Sequence, residues 1–473
     1  MLFVLSGIVL LASACSQETQ VPTPTPDSLP TDTAAIDSPP TPDTGPEDPA
    51  IGYATPQYCG TCHPTHYEQW RGSMHAYAIK DPVFEAMLAK GIEDTQGKLD
   101  QFCVQCHAPV ASLKGLMPVI ESEGVFRLPV DHNNPLVSHG VQCVTCHSIE
   151  TVHGTQNAQF TLSETTYFGP TGSAAANSAH PVEKSPFFSD PSQSSLLCGA
   201  CHDVLNPNGA RLEATFSEWY SNAFNAPSNP EQHRTCGDCH MPTYQGSVAE
   251  DSPTTTVHSH HFIGVDQALI ADFPGKEEQA ALVRALLEDC AELDVEYNGV
   301  EEGHAVFVIT VKNINNGHNL PSGSTADRQV WVHLQIRNEE GQLVYESGML
   351  DANGDLMDGV QGHSLDPAGD PELLAFGQFI YDGDGNHVLF PWEAVDYTDN
   401  LIGPGQKAWR DYPVPATGLA GQTLHLTATL RYRTFPPFLI RTLIQEGYLA
   451  PDALAPIPII DMESETFSVT VLP

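Results

Sequence analysis

Positive charge is scarce in this chain. Lysine and arginine number 19 against 59 aspartates and glutamates, a formal net charge of −40 over 473 residues. So acidic a surface repels nucleic acid and anionic lipid, which argues against both as partners and favours basic proteins or cations. Residues 51–265 hold only Arg71, Lys80, Lys90, Lys98, Lys114, Arg127, Lys184, Arg211 and Arg234, few cations with which to draw in a small anion. Long apolar runs are lacking as well. Met1–Ala14 is apolar but too short to span a bilayer, and with Cys15 it reads as an export signal over residues 1–15.

Large apolar side chains are thin in the next stretch. Residues 16–50 are rich in Pro, Thr, Asp and Ser and cannot bury enough surface to fold, so they read as an extended acidic tether. Leu11-Ala12-Ser13-Ala14-Cys15 resembles a bacterial lipoprotein signal, which implies lipidation of Cys15. The alternative is an ordinary signal peptide cut near Cys15. Both readings export the chain, and the first attaches it to a membrane through a lipid anchor alone.

Cysteine is concentrated rather than spread. Ten of the twelve stand in five Cys-x-x-Cys-His motifs: Cys59-Cys62-His63, Cys103-Cys106-His107, Cys143-Cys146-His147, Cys198-Cys201-His202 and Cys236-Cys239-His240. Each is the attachment signature of a c-type haem. Two thiols form thioethers with the vinyl groups, and the adjacent His supplies the proximal nitrogen to iron. A disulfide framework belongs to much shorter secreted chains. Structural zinc takes two Cys pairs per ion, which five pairs do not satisfy, and neither account explains the invariant His. Five c-type haems, each with its iron, are therefore the expected cofactors. Successive first cysteines lie 44, 40, 55 and 38 residues apart, too little chain for a separate core around each haem. The haems must pack on one another, among short helices and irregular loops.

Beyond residue 265 the pattern changes. Residues 266–298 carry a helical repeat, with Ala281, Leu282, Ala285 and Leu286 on one face and the odd thiol, Cys290, near its end. Residues 299–473 contain runs of strand period, among them 304–312, 330–337, 342–346, 423–432 and 466–471, divided by Gly, Asn and Asp turns. They predict an antiparallel β-sandwich of about 170 residues with no haem of its own. The expected fold class is multidomain: a mostly α and irregular multihaem cytochrome c domain over 51–265, then the helical connector, then the sandwich. Asp382-x-Asp384-x-Asn386 with Glu393 partly mimics a calcium loop, but His387 stands where Gly is required, so it reads as a polar turn.

A second axial ligand decides what each haem does. His or Met there makes an electron carrier, and an open position admits a substrate. Ten histidines lie outside the motifs in the haem region: His66, His75, His132, His139, His153, His180, His233, His258, His260 and His261. Five are needed. Cys59-Gly-Thr-Cys-His-Pro-Thr-His-Tyr-Glu-Gln-Trp-Arg-Gly-Ser-Met-His75 resembles the opening of the multihaem cytochrome c superfamily that includes the tetrahaem cytochrome of ammonia oxidisers, hydroxylamine oxidoreductase and the octahaem reductases. That resemblance implies a distal role for His75. Segments around His139-Gly-Val-Gln-Cys143, Phe168-Gly-Pro170 with His180, and His261-Phe-Ile-Gly264 are similar to family segments too, implying distal roles for His139, His180 and His261, with His260 as a substitute for His261. Asn316-Gly-His318-Asn-Leu-Pro-Ser-Gly323 resembles a C-terminal segment of some multihaem cytochromes. His318 is then either a fifth ligand that clamps the β-domain or a loop histidine, in which case His132 or His233 completes the set.

The chain departs from the family's enzymes: no motif has Lys in place of His, and there are five motifs rather than eight. The expected function is electron transfer through five haems in an exported bacterial envelope lipoprotein, periplasmic or at the outer-membrane surface, serving respiratory or extracellular electron transport. Other redox proteins or cytochromes, or a second copy, are the expected partners, and no catalytic residue is assigned. The competing expectation is a reductase or oxidase of a small nitrogen or sulfur compound at one open haem.

Overall fold

The computed structural model describes residues 53–172, 182–226, 229, 231–453 and 455–472. The signal, the tether, Cys15 and His180 lie outside the described residues. From Tyr53 to about residue 265 the chain forms short helices and small hairpins. The helices start by one recurring local device. Those opening at Pro56, Pro82, Pro135, Pro186 and Pro191 carry proline in their first turn, and the preceding Thr55, Asp81, Asn134, Ser185 and Asp190 accept a backbone N–H in their side chains. Proline fixes φ where its missing N–H costs nothing, and the cap satisfies a donor the helix leaves open. The longest of these helices, Pro82–Asp94, buries Val83, Ala86, Leu88 and Ile92.

The C-terminal part is rich in antiparallel sheet. Ala291–Glu301, His304–Asn313 and Lys407–Pro415 form one three-stranded sheet in that order. A seven-stranded sheet runs His387–Val388, Ala375–Tyr381, Gln329–Arg337, Thr423–Arg433, Ile460–Thr470, with Leu343–Ser347 and Asp396–Asn400 pairing off that path. One core takes side chains from both, including Phe307, Ile309, Val311 and Tyr412 from the first and Val332, Leu334, Leu426 and Leu430 from the second. The helix Lys276–Asp289 adds Val283 and Leu287, and Cys290 is buried in the same core, its thiol pushed up to about 12 by burial. Asp382 accepts the N–H groups of Asp384 and Asn386, so the calcium-like segment is a closed polar turn.

The helical and sheet-rich parts share a second core. Leu88, Ile92, Leu99 and Met117 pack with Phe390, Trp392, Phe438, Leu439 and Leu443. Gly91 makes the approach possible: a Cβ there would fall 2.9 Å from the Trp392 ring. The Trp392 indole donates to Asp94 at 3.1 Å, and Lys90 pairs with Glu446 at 2.6 Å. Among the described residues no helix is long and apolar enough to cross a membrane.

Candidate haem-binding array

Each motif folds as one helical turn. The amide of the motif His bonds the carbonyl of the first Cys, at 2.9 Å for His63, 3.2 Å for His107 and 3.0 Å for His202, and the third and fifth motifs are the helices Cys143–His147 and Cys236–His240. A spacing of four residues sets the first thiol and the imidazole on one face. The thiols of different motifs also meet: Cys59 with Cys143, Cys198 with Cys236, and Cys106 with Cys201 share hydrogen bonds. Five motifs spread over some 180 residues of sequence are thus gathered into one cluster. Burial holds most of these thiols in the neutral form, pushing Cys103 up to about 12 and Cys146 up to about 11. Cys59 and Cys236 are the exceptions, lowered by their bonds with Cys143 and Cys198, Cys236 to about 7.

The outward nitrogen of every motif imidazole is already engaged. His63 Nδ1 bonds the Val248 carbonyl at 2.5 Å, His107 that of Ala78 at 2.9 Å, His147 that of Phe168 at 2.8 Å, and His240 that of Ile263. His202 Nδ1 instead donates to the Glu213 carboxylate at 3.2 Å. Such bonds fix the tautomer and ring orientation of a metal-binding imidazole and leave Nε2 for the metal.

Three motif imidazoles face a second imidazole. Ring centroids are 6.4 Å apart for His202 and His75, 6.4 Å for His147 and His260, and 6.2 Å for His240 and His318. Two nitrogen–metal bonds of about 2 Å each, plus the ring radii, require roughly 6 Å. Local structure explains each partner. Ser73 caps the helix Met74–Tyr77, which carries His75 and ends beside Ala78, the carbonyl that holds His107. His260 follows the strand Thr254–His258; its amide donates to Gln69 and its Nδ1 bonds the His258 carbonyl. His318 lies in the loop after His304–Asn313. Glu218 accepts from the Asn319 amide at 3.0 Å and the Ser322 hydroxyl at 2.7 Å, and Asn222 bonds the Gly317 carbonyl, so the helix Thr215–Tyr220 pins that loop to the motif cluster. His318 Nδ1 bonds the Asn319 carbonyl. Burial, with the neighbouring imidazoles, favours the neutral form that binds metal in four of these rings: His75 and His260 are drawn down to about 3 and His240 to about 4, and His318 is lowered too. His202 goes the other way: against its burial, Glu213 pushes it up to about 8.

The other expected partners stand elsewhere. His261, the neighbour of His260, turns to Ser259 through Nδ1 and to Glu278 through Nε2. His139 is buried beside Trp70, and its Nε2 accepts from the Gln57 amide at 2.8 Å. Gly140 follows at φ 59, where a Cβ would lie 2.6 Å from the His75 carbonyl; the segment is held by Val141 donating to that same oxygen. His66 lies 6.2 Å from His63 but nearly perpendicular to it, and 4.6 Å from His260. His132 pairs with Glu85 at 2.9 Å, and His233 sits 6.5 Å from Trp219. Opposite His107, among the described residues, there is no second imidazole at comparable distance; its ring stacks on Phe84 at 3.8 Å. Glu213 and Glu218 carry no haem motif, and Gln69 lies in the Cys59–His75 segment without a ligand's chemistry; all three meet the site only through the fold.

These residues fit five c-type haems. Each motif offers two thiols for thioether bonds and an imidazole on one turn of helix, and no three His, Cys, Asp or Glu among the described residues are placed to hold a bare ion. Residues 58–148, which contain the first three motifs, match the family described as "Cytochrome c554 and c-prime". The fold is similar to the crystal structure of a penta-heme cytochrome c552 from Thermochromatium tepidum, at 20% identity and a TM-score of 0.61, over 88% of this chain and 99% of that chain. Among curated proteins none matches the chain. Motifs, site geometry and these two likenesses together support a multihaem c-type cytochrome joined to a sheet-rich C-terminal part.

Proposed function

We propose that this chain transfers electrons through five covalently held c-type haems. The observation that carries this reading is the set of three motif imidazoles, each faced by a second imidazole at 6.2–6.4 Å. Two strong nitrogen ligands would keep iron low-spin in both redox states, so little rearrangement accompanies each electron. The distal ligands are then His75, His260 and His318, with His260 taking the role first given to His261. The thiol contacts between motifs favour haems packed closely enough to exchange electrons.

In this reading residues 1–15 direct export, Cys15 carries lipid, and 16–50 tether the protein at the bacterial envelope. The haem domain spans 51–265, a connector 266–298, and a sandwich-like arrangement of the two sheets occupies 299–473, contributing His318 and a docking face. The acidic surface suits a basic redox partner. A second reading has one observation in its favour: the position opposite His107 lacks an imidazole among the described residues, which suits a haem that binds a small nitrogen or sulfur species. The first test is haem stoichiometry of the exported protein by mass and pyridine haemochrome absorbance. Five haems per chain are expected, all reducible by a one-electron donor. Fewer than five, or haem released by acid–acetone extraction, would overturn the reading.

A further inference from the structure

One motif differs from the other four in what holds its imidazole. His63, His107, His147 and His240 bond neutral backbone carbonyls, whereas His202 bonds a carboxylate. The chain arranges this locally. Directly after His202 the strands Val204–Leu205 and Arg211–Glu213 form a hairpin in which Val204 pairs with Glu213. The hairpin folds Glu213 back beneath the motif it follows. Leu212 is buried, so Glu213 points to the opposite face, and there Oε1 takes both the His202 Nδ1–H and the Thr215 hydroxyl, the latter at 3.3 Å. The carboxylate is thus fixed rather than swinging in solvent. Arg328 also acts on it through space, while its own guanidinium pairs with Asp266 at 2.8 Å.

A carboxylate on Nδ1–H draws that proton outward and makes Nε2 a stronger donor than a carbonyl does. A stronger donor, with a fixed negative charge behind it, favours ferric over ferrous iron. We propose that Glu213 is a positioning residue that lowers the reduction potential of the haem held by Cys198, Cys201 and His202. This rests on the haem-array reading and goes beyond it, since it assigns one haem a potential set by one side chain.

The test is Glu213→Gln in the haem-loaded full chain, which keeps an acceptor oxygen and removes the charge. Potentials are read by spectroelectrochemistry, and the haem is identified by the low-spin signal that His75→Ala removes. One potential is expected to rise by about 59 mV or more, a tenfold change in the oxidised-to-reduced ratio at fixed potential, with the other four unmoved. Glu213→Asp, which retains the charge on a shorter arm, is expected to give a smaller rise at the same haem, and it serves if the Gln variant loads haem poorly. Unchanged potentials in a fully loaded variant, or a rise spread over all haems, would overturn the inference. Failure of His75→Ala to remove a low-spin signal would instead count against the array itself.

Discussion

His260 and His261 are neighbours in the chain, yet the fold gives them opposite tasks. The first stands 6.4 Å from His147 with its Nδ1 held by the His258 carbonyl, and the second has both ring nitrogens occupied by Ser259 and Glu278. His260→Ala is therefore expected to turn one low-spin haem high-spin, visible as a shifted charge-transfer band and a new axial EPR signal. His261→Ala should leave the spin count unchanged. The reverse result would return the ligand role to His261. Proximal residues were legible in the sequence because thioether attachment demands adjacency: Cys-x-x-Cys-His is written in five consecutive positions. Distal residues have no such constraint. His75 and His202, or His240 and His318, are brought together only by tertiary contacts, and of those the sequence carries a trace only where a segment resembles known ones.

The helix Pro82–Asp94 shows how an element can tie the haem side to pH. Its cap, Asp81, accepts the Val83 N–H at 2.8 Å and is half-buried; loss of solvent around it, together with the charges of Asp266 and Glu85, pushes its carboxyl up to about 7, against the bonds from Val83 and Phe84 that lower it. A carboxyl whose folded value is raised binds its proton more tightly folded than unfolded. Its contribution is then fully present below the unfolded value of about 3.9 and is lost as pH rises through about 7. Asp81→Asn keeps a good cap without the titration. Urea midpoints of the haem-loaded protein should fall between pH 4 and pH 7 more steeply for the natural chain than for the variant; equal slopes would contradict the assignment. Other elements explain what sequence patterning missed. Lys407–Pro415 contains Pro413 and Pro415, which argue against a strand, but it lies at the edge of its sheet, where a missing N–H is tolerated. Ala375–Tyr381 alternates in burial, yet Gly377 and Gln378 interrupt its apolar period.

Taken whole, the molecule joins two kinds of structure at several places, among them the shared core of Ile92, Trp392 and Phe438, a smaller core of Ala210, Leu212, Ile380 and Ala394, and the loop that presents His318 to His240. Short helices with motif turns could be foreseen because each needs only its own residues. The many small hairpins between them, such as Ile149–Val152 with Phe160–Leu162, could not, because they fold against side chains distant in sequence, here Val110, Val144 and Ala200. The sheet-rich part was legible from strand period, its layering only coarsely. Everything functional converges on how many irons are held between two imidazoles. Low-temperature EPR of the fully oxidised full chain, with spins quantified against haem content and repeated with cyanide, measures this directly. The account predicts at least three low-spin haems per chain, one for each facing pair; a high-spin haem that turns low-spin with cyanide would favour the open-haem reading instead. Fewer than three low-spin haems in a fully loaded protein would contradict it.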